Sequence, residues 1–225
     1  MQMLQNSVGR KLVMAVTGLF LFLFVVVHLL GNSSVFIGAD GINSYAEHLH
    51  ALGPVVWIFR LVLLGLFALH IFFGIQLTLE NRAAREIEYN EKKNLRTSFG
   101  ARTMIYTGLI ILAFLIYHLL HFTMHVTNPE ISVGALPPDA LGRADVFTMM
   151  VLSFQKFFIS LVYVGAMVTL LLHLSHGVQS LFQTLGWLGA NSLPVMEKVG
   201  RAAAIVIFAG FISIPVSILL GLINV

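Results

Sequence analysis

Thr17-Gly18-Leu19-Phe20-Leu21-Phe22-Leu23-Phe24-Val25-Val26-Val27-His28 is a Thr-Gly pair, nine apolar residues and a histidine, and the same wording returns at Thr107-Gly108, with nine residues before His118. A second pattern also occurs twice, as His70-x-x-x-Gly74-x-Gln76 and His173-x-x-x-Gly177-x-Gln179. The two patterns alternate along the chain, so each pair marks one unit, about residues 8–82 and 100–180, with an extra apolar segment at about 200–223. A doubled unit carrying four histidines inside apolar stretches calls for a functional explanation.

The 225 residues are 58% hydrophobic and 10% charged, which excludes an ordinary soluble domain. Apolar runs long enough to cross a hydrocarbon core of about 30 Å lie near 12–31, 55–79, 103–124, 157–176 and 202–223. The expectation is an all-α membrane protein of five transmembrane helices in a single domain. Four of them would form a bundle from two repeated helix pairs, with a fifth alongside. The basic start Arg10-Lys11 resembles that of a secretory signal, but the first apolar run is longer than a signal core of roughly 7–15 residues and no small-x-small cleavage site follows. With no cysteine, disulfides, iron–sulfur ligation and a thiolate-ligated haem are excluded for this chain.

Basic residues set an expected orientation. Arg10 and Lys11 precede the first span, and Arg82, Arg85, Lys92, Lys93, Arg96 and Arg102 crowd the 80–102 segment. The 32–54 loop has none, 125–147 has only Arg143, and 180–201 has Lys198 and Arg201. The positive-inside rule then places the N-terminus in the cytoplasm and the C-terminus outside. The basicity is therefore a matter of topology, and no nucleic-acid partner is implied. The localisation that follows is a bacterial-type cytoplasmic membrane. Tyr45-Ala46-Glu47-His48-Leu49-His50 suits a short interfacial helix, the 125–147 segment with Pro129, Pro137 and Pro138 reads as an irregular loop, and span four is expected to begin before Lys156. Pro215 falls inside span five and should kink it.

At about 1.5 Å per helical residue, His28 lies about 26 Å beyond Lys11, and His118 about 24 Å beyond Arg102. His70 and His173 lie on spans running the other way and fall in the inner half. Two histidine pairs at two depths result. Neutral imidazole is the commonest metal ligand, and ionisable groups in hydrocarbon usually line a pathway or bind something. Opposed imidazoles with small residues nearby suit a flat iron porphyrin. The expectation is two haem b groups, His28 and His118 on the outer iron, His70 and His173 on the inner. Gly74 and Gly177, one turn beyond their histidines, would admit the ring. Thr17 and Thr107 share a face with His28 and His118, and either contact the inner haem or bond their own backbone. The bland alternative is four helix-packing histidines. His121, His125 and His176 are left as packing groups, propionate contacts or water-path linings, with His121 and His176 as substitute ligands. The phenylalanines Phe20, Phe22, Phe24, Phe59, Phe67, Phe72 and Phe73 read as lipid-facing and packing surface rather than a cofactor box.

The stretch from Gly9-Arg10-Lys11 through Thr17-Gly18 and His28-Leu29-Leu30-Gly31-Asn32 resembles the cytochrome b membrane anchors of succinate dehydrogenases and fumarate reductases, in the type with one five-helix chain and two haems. So do Trp57-Ile58-Phe59-Arg60, His70 through Arg82, and His173 to Gln179. The resemblance implies the same four axial ligands, a flavoprotein subunit and an iron–sulfur subunit docked on the cytoplasmic face, and electron transfer to or from quinone, commonly menaquinone. No succinate or fumarate chemistry would belong to this chain. Quinone would react near the outer haem, making Tyr45, Glu47, His48 and His50 candidates for its contacts or protons, beside the alternative of a merely solvated loop. No Asp or Glu lies within the five apolar runs, and Leu171 stands where some diheme relatives carry a helix-four acid. No acid relay across the membrane is therefore expected. Two other functions compete: the cytochrome b of a hydrogenase or formate dehydrogenase, and a haem-free transporter or structural anchor.

Overall fold

The computed structural model describes residues 6–84, 99–187, 189 and 192–225, and among these every regular element is helical. Helix α1 is Ser7–Asn32, followed by a 3-10 segment Ser33–Ile37, α2 Ala39–Ala51, α3 Pro54–Ala83, α4 Phe99–Phe122, α5 Val146–Gln155, α6 Phe157–Thr184 and α7 Leu193–Leu219. Five of them, α1, α3, α4, α6 and α7, are long and apolar enough to cross a membrane, so the chain is a multi-pass membrane protein. The helices outrun the apolar stretches because the backbone stays helical through the polar residues at each interface. Their ends are set locally. Asn6 accepts the Gly9 N–H at 2.7 Å and caps α1. Pro54, which has no N–H to leave orphaned, opens α3.

Helix α1 packs along α3, and α4 along α6; contacts of α1 with α6 and of α3 with α4 close a four-helix ring. Helix α7 lies outside the ring against α6 and touches α1 and α5. Its close approach depends on small residues one turn apart: Ala204 is fully buried, and a Cβ on Gly200 would stand 3.3 Å from Val178 Cβ. Pro215 lies within α7, as expected. Lipid-facing surface is apolar, as hydrocarbon requires: Trp57, Phe59, Leu61, Leu64, Phe72 and Leu79 of α3 are all exposed. The phenylalanine set divides accordingly, with Phe20 also exposed, Phe73 buried, Phe22 packed under α7 and Phe24 stacked on His28.

Two sequence expectations change at the end of the ring where α2 lies. The short interfacial helix exists as α2, entered through Gly38 at φ 99°, a conformation that favours glycine. Residues 125–145 are irregular apart from one 3-10 turn at Pro129–Ile131, but Val146–Gln155 forms a separate buried helix. Span four thus begins just after Lys156, not before it. The reason is local. Lys156 adopts an extended backbone (ψ 107°), its ammonium is drawn out to Asn128 and Glu130, each at 3.0 Å, and Ser160 Oγ donates to the Phe154 carbonyl freed at the break. Helix α5 contributes Met150, Val151 and Phe154 to an apolar core shared with Val35, Ile42, Tyr163, Ile214 and Ile218. Of the expected basic segment, Arg82 and Arg102 are described, whereas Arg85, Lys92, Lys93 and Arg96 lie outside the described residues.

Candidate functional site: two facing histidine pairs

The four histidines singled out by the repeats meet in two pairs inside the ring. His70 on α3 faces His173 on α6 with ring centres 6.5 Å apart and planes inclined at 65°. His28 on α1 faces His118 on α4 at 5.8 Å and 88°. Thr17 touches His70 and His28 touches His118, so the eleven-residue spacing along α1 separates the two pairs by about 16 Å. The same spacing recurs on α4 between Thr107, which touches His173, and His118.

At the His70/His173 pair each ring is held by the threonine of the neighbouring helix. Thr17 Oγ1 lies 3.2 Å from His70 Nδ1 and Thr107 Oγ1 lies 3.1 Å from His173 Nδ1. Each hydroxyl has one proton, and each also faces carbonyls that can only accept: Val13 at 2.7 Å and Met14 at 3.1 Å for Thr17, Met104 at 3.0 Å and Thr103 at 3.2 Å for Thr107. The proton therefore goes to the helix backbone, and the oxygen accepts Nδ1–H from histidine. That tautomer leaves Nε2 of both rings as a free lone pair. Of the two options considered for the threonines from sequence, the bond to their own backbone is present, and each hydroxyl also meets a histidine of the neighbouring helix.

The glycine after each threonine makes the contact geometrically possible. A Cβ on Gly18 would stand 3.3 Å from His70 Cε1, and one on Gly108 3.5 Å from His173 Cε1. Sequence reasoning used these glycines only as markers of the repeat; their invariable position next to the threonine was the available signal. A Cβ on Gly74 or Gly177 would meet the side-chain end of Met14 or Met104, 3.7 and 3.5 Å from their methyl carbons. The repeat therefore extends to Met-x-x-Thr-Gly, with flexible thioethers beside the glycines expected to admit a ring.

The His28/His118 pair has different support. Asn32 donates to the His28 carbonyl at 2.8 Å, and its amide nitrogen also lies 3.3 Å from His28 Nε2. His118 Nδ1 lies 3.3 Å from the Tyr163 hydroxyl. Phe24 stacks on His28 and Phe114 tilts over His118. Of the histidines not selected by the repeats, His121 is buried against Phe122 and Tyr163, His176 packs against Gly100, and His125 lies past the end of α4 with φ 55°.

Chemically, each pair supplies two imidazoles and nothing more. Among the described residues no cluster of three or more His, Cys, Asp or Glu could hold a metal ion. A bare divalent ion wants three or four protein ligands, so a two-imidazole site fits a metal that brings its own in-plane donors. Two metal–imidazole bonds of about 2 Å, lengthened at each end by the reach from ring nitrogen to ring centre, put the centres roughly 6 Å apart. The observed 5.8 and 6.5 Å bracket that value.

The four α2 candidates do not converge. Tyr45 lies over Gly31, where any Cβ would collide with its ring. His48 and His50 each direct Nδ1 to the carbonyl four residues back, Ser44 and Ala46, at 2.7 Å. Glu47 and His50 line a small cleft with Asn43 and Arg143, and His50 also borders a groove of about 430 Å³ with Trp57 and Arg60. Arg60 stacks its guanidinium on Trp57 at 4.9 Å.

Beside α2, buried Asn43 donates to Asp139 and Asp145 and accepts the Phe147 N–H, tying three segments together. Arg143 bridges Asp139 and Asp40 at 2.8 and 2.9 Å. Burial would raise the Asp139 carboxyl, but hydrogen bonds from the Arg143 N–H, the Arg143 guanidinium, Asn43 and the Leu141 N–H hold it down at about 2. Its own backbone N–H and then Lys156 lower Glu130 likewise. At the opposite end Arg10 pairs with Glu80 at 2.8 Å, and Gln76 donates to the same carboxylate.

Comparison with protein-family models, with curated proteins and with solved structures gave no match.

Proposed function

We propose that this chain is a diheme cytochrome b that anchors a respiratory oxidoreductase in the cytoplasmic membrane and passes electrons between a soluble partner and quinone. The observation that carries this reading is the pair of facing imidazole pairs about 16 Å apart along α1. His28 and His118 would hold one haem b, His70 and His173 the other. When bound, six-coordinate haem supplies one-electron transfer with no open position for oxygen chemistry.

The residues of the chain do the rest. Thr17 and Thr107 accept Nδ1–H from His70 and His173, which leaves Nε2 of each ring as the nitrogen that would meet the metal. Gly18 and Gly108 let those rings sit against the neighbouring helix. Apolar neighbours such as Phe24 and Phe114 at the His28/His118 pair would limit water there. The charge bias of the sequence puts the Arg10 end in the cytoplasm, where a flavoprotein and an iron–sulfur subunit would dock, nearest the His70/His173 pair. The α2 end, outside, would meet menaquinone or another quinone. The resemblance of the quoted motifs favours the succinate dehydrogenase and fumarate reductase class, with no dicarboxylate chemistry in this chain.

The test is spectroscopic. Dithionite-reduced membranes containing the protein should show a b-type α-band, and His28→Ala and His118→Ala should each abolish the same haem while sparing the other. Absence of the band eliminates the reading, and loss of different haems breaks the pairing. The subunits that co-purify with the chain separate a succinate- or fumarate-linked complex from a hydrogenase or formate dehydrogenase.

A further inference from the structure

Tyr163 is buried on α6 among Phe114, Phe122 and Phe154, and its hydroxyl stands between two imidazoles of α4. It is 3.3 Å from His118 Nδ1 and 3.0 Å from His121 Nδ1. His121 is itself only 3% exposed, stacked on Phe122 with ring centres 4.1 Å apart, and its Nε2 has no hydrogen-bond partner. The repeats do not select His121, and the proposed electron path does not use it.

One hydroxyl proton decides how the three groups connect. If His118 offers Nε2 to a metal, it carries its proton on Nδ1 and donates to the Tyr163 oxygen. The Tyr163 O–H is then free to donate to His121 Nδ1, which leaves the His121 proton on Nε2. The opposite arrangement, with both Nδ1–H groups on the tyrosine oxygen, strands a buried O–H as well as a buried imidazole nitrogen. Leaving buried polar groups unpaired is what proteins avoid, so the chain that strands one group prevails over the one that strands two.

We infer that Tyr163 is a positioning residue for the axial ligand His118, held in its accepting role by His121, and that this hydrogen-bonded row tunes the potential of the outer haem alone. The inference rests on the diheme reading. Donation from Tyr163 to His121 makes the tyrosine oxygen a better acceptor, because hydrogen bonds in a row polarise one another. A stronger acceptor at Nδ1 makes His118 a more basic ligand, which favours the oxidised metal. Among the described residues no tyrosine row of this kind touches His70 or His173, whose threonines pass their protons to helix carbonyls.

The experiment is a redox titration of both haems in the intact membrane complex, comparing wild type with Tyr163→Phe. The outer haem is the one that His118→Ala removes. Phenylalanine keeps the ring contacts and deletes the hydroxyl. At fixed ambient potential the reduced-to-oxidised ratio of the outer haem should rise on the order of tenfold, an upward midpoint shift of about 59 mV for one electron, with the inner haem unmoved. His121→Phe should shift the same haem in the same direction by less, and it carries the test if Tyr163→Phe fails to assemble. Unchanged outer midpoints in both variants, or equal shifts at both haems, overturn the inference. A wild-type protein without b-type haem overturns the diheme reading first, so the two failures are distinguishable.

Discussion

Replacing Thr17 by valine removes a single oxygen at nearly constant volume, and the structure says what that oxygen does. Thr17 is 3% exposed, and His70 Nδ1 at 3.2 Å has no other side-chain partner described. Valine removes the side-chain acceptor of this ring and leaves it the Met14 carbonyl alone, a loss of about 0.5–1.5 kcal/mol. The same loss acts on the ligand nitrogen across the ring, where removal of an orienting partner typically weakens metal binding about 10–100-fold. On the proposed diheme reading, the expected result is a protein that folds, retains the His28/His118 haem, and releases the His70/His173 haem on the order of 10–100 times faster to an excess of apo-globin in detergent. Thr17→Ser should restore retention, because it returns the acceptor. Thr107→Val should release the same haem, because Thr107 holds its other ligand. A Thr17→Val protein that keeps this haem at the wild-type rate and midpoint would refute the tautomer assignment. Loss of the other haem would refute the pairing by helix neighbours.

Other expectations follow from the α2 end. Asn43→Ala removes the group that joins Asp139, Asp145 and the Phe147 N–H, at a cost of about 1–3 kcal/mol. Limited proteolysis of the variant should show earlier cutting within 125–145, while both haem spectra stay unchanged. Asp139, held at about 2 in the fold against about 3.9 in an unfolded chain, stabilises this region above pH 4 and ceases to do so as pH falls through 2. Pepsin cleavage of the 125–145 segment should accordingly rise between about pH 4 and pH 2 and be flat above; a rise centred near pH 6 would count against the carboxylate. If no acid relay spans the membrane, proton counting in sealed vesicles should find none crossing with the electrons, and compensating transfer would refute it.

Much of this arrangement was legible in the sequence because it is written twice. The alternation of Thr-Gly-x9-His with His-x3-Gly-x-Gln, combined with helix rise and antiparallel spans, selected which four of nine histidines meet and in which pairs. Contacts between units were not legible. That Gly18 makes room for His70, fifty-two positions away, depends on how closely α1 approaches α3, and no local periodicity encodes it. Tyr163 escaped for a different reason. It stands ten residues before His173, and the residue ten before His70 is Arg60, so the two units diverge there and repetition offers no hint. Helix α5 was hidden by the prolines ahead of it and by Lys156 behind it: its ten residues are too short to register as a span and too apolar to resemble a loop. The α2 candidates were chosen by chemistry on one short segment, and a thirteen-residue helix necessarily points them in several directions.

The apolar core that α5 builds with Val35, Ile42, Ile214 and Ile218 has a consequence for traffic. It includes Tyr163, which touches His118, so among the described residues apolar side chains from α2, α5 and α7 pack beside that pair. Among the described residues the flank of α3 is exposed and mostly apolar, suited to hydrocarbon. A lipid-soluble visitor would meet side chains of its own kind along that flank, and a water-soluble one would not.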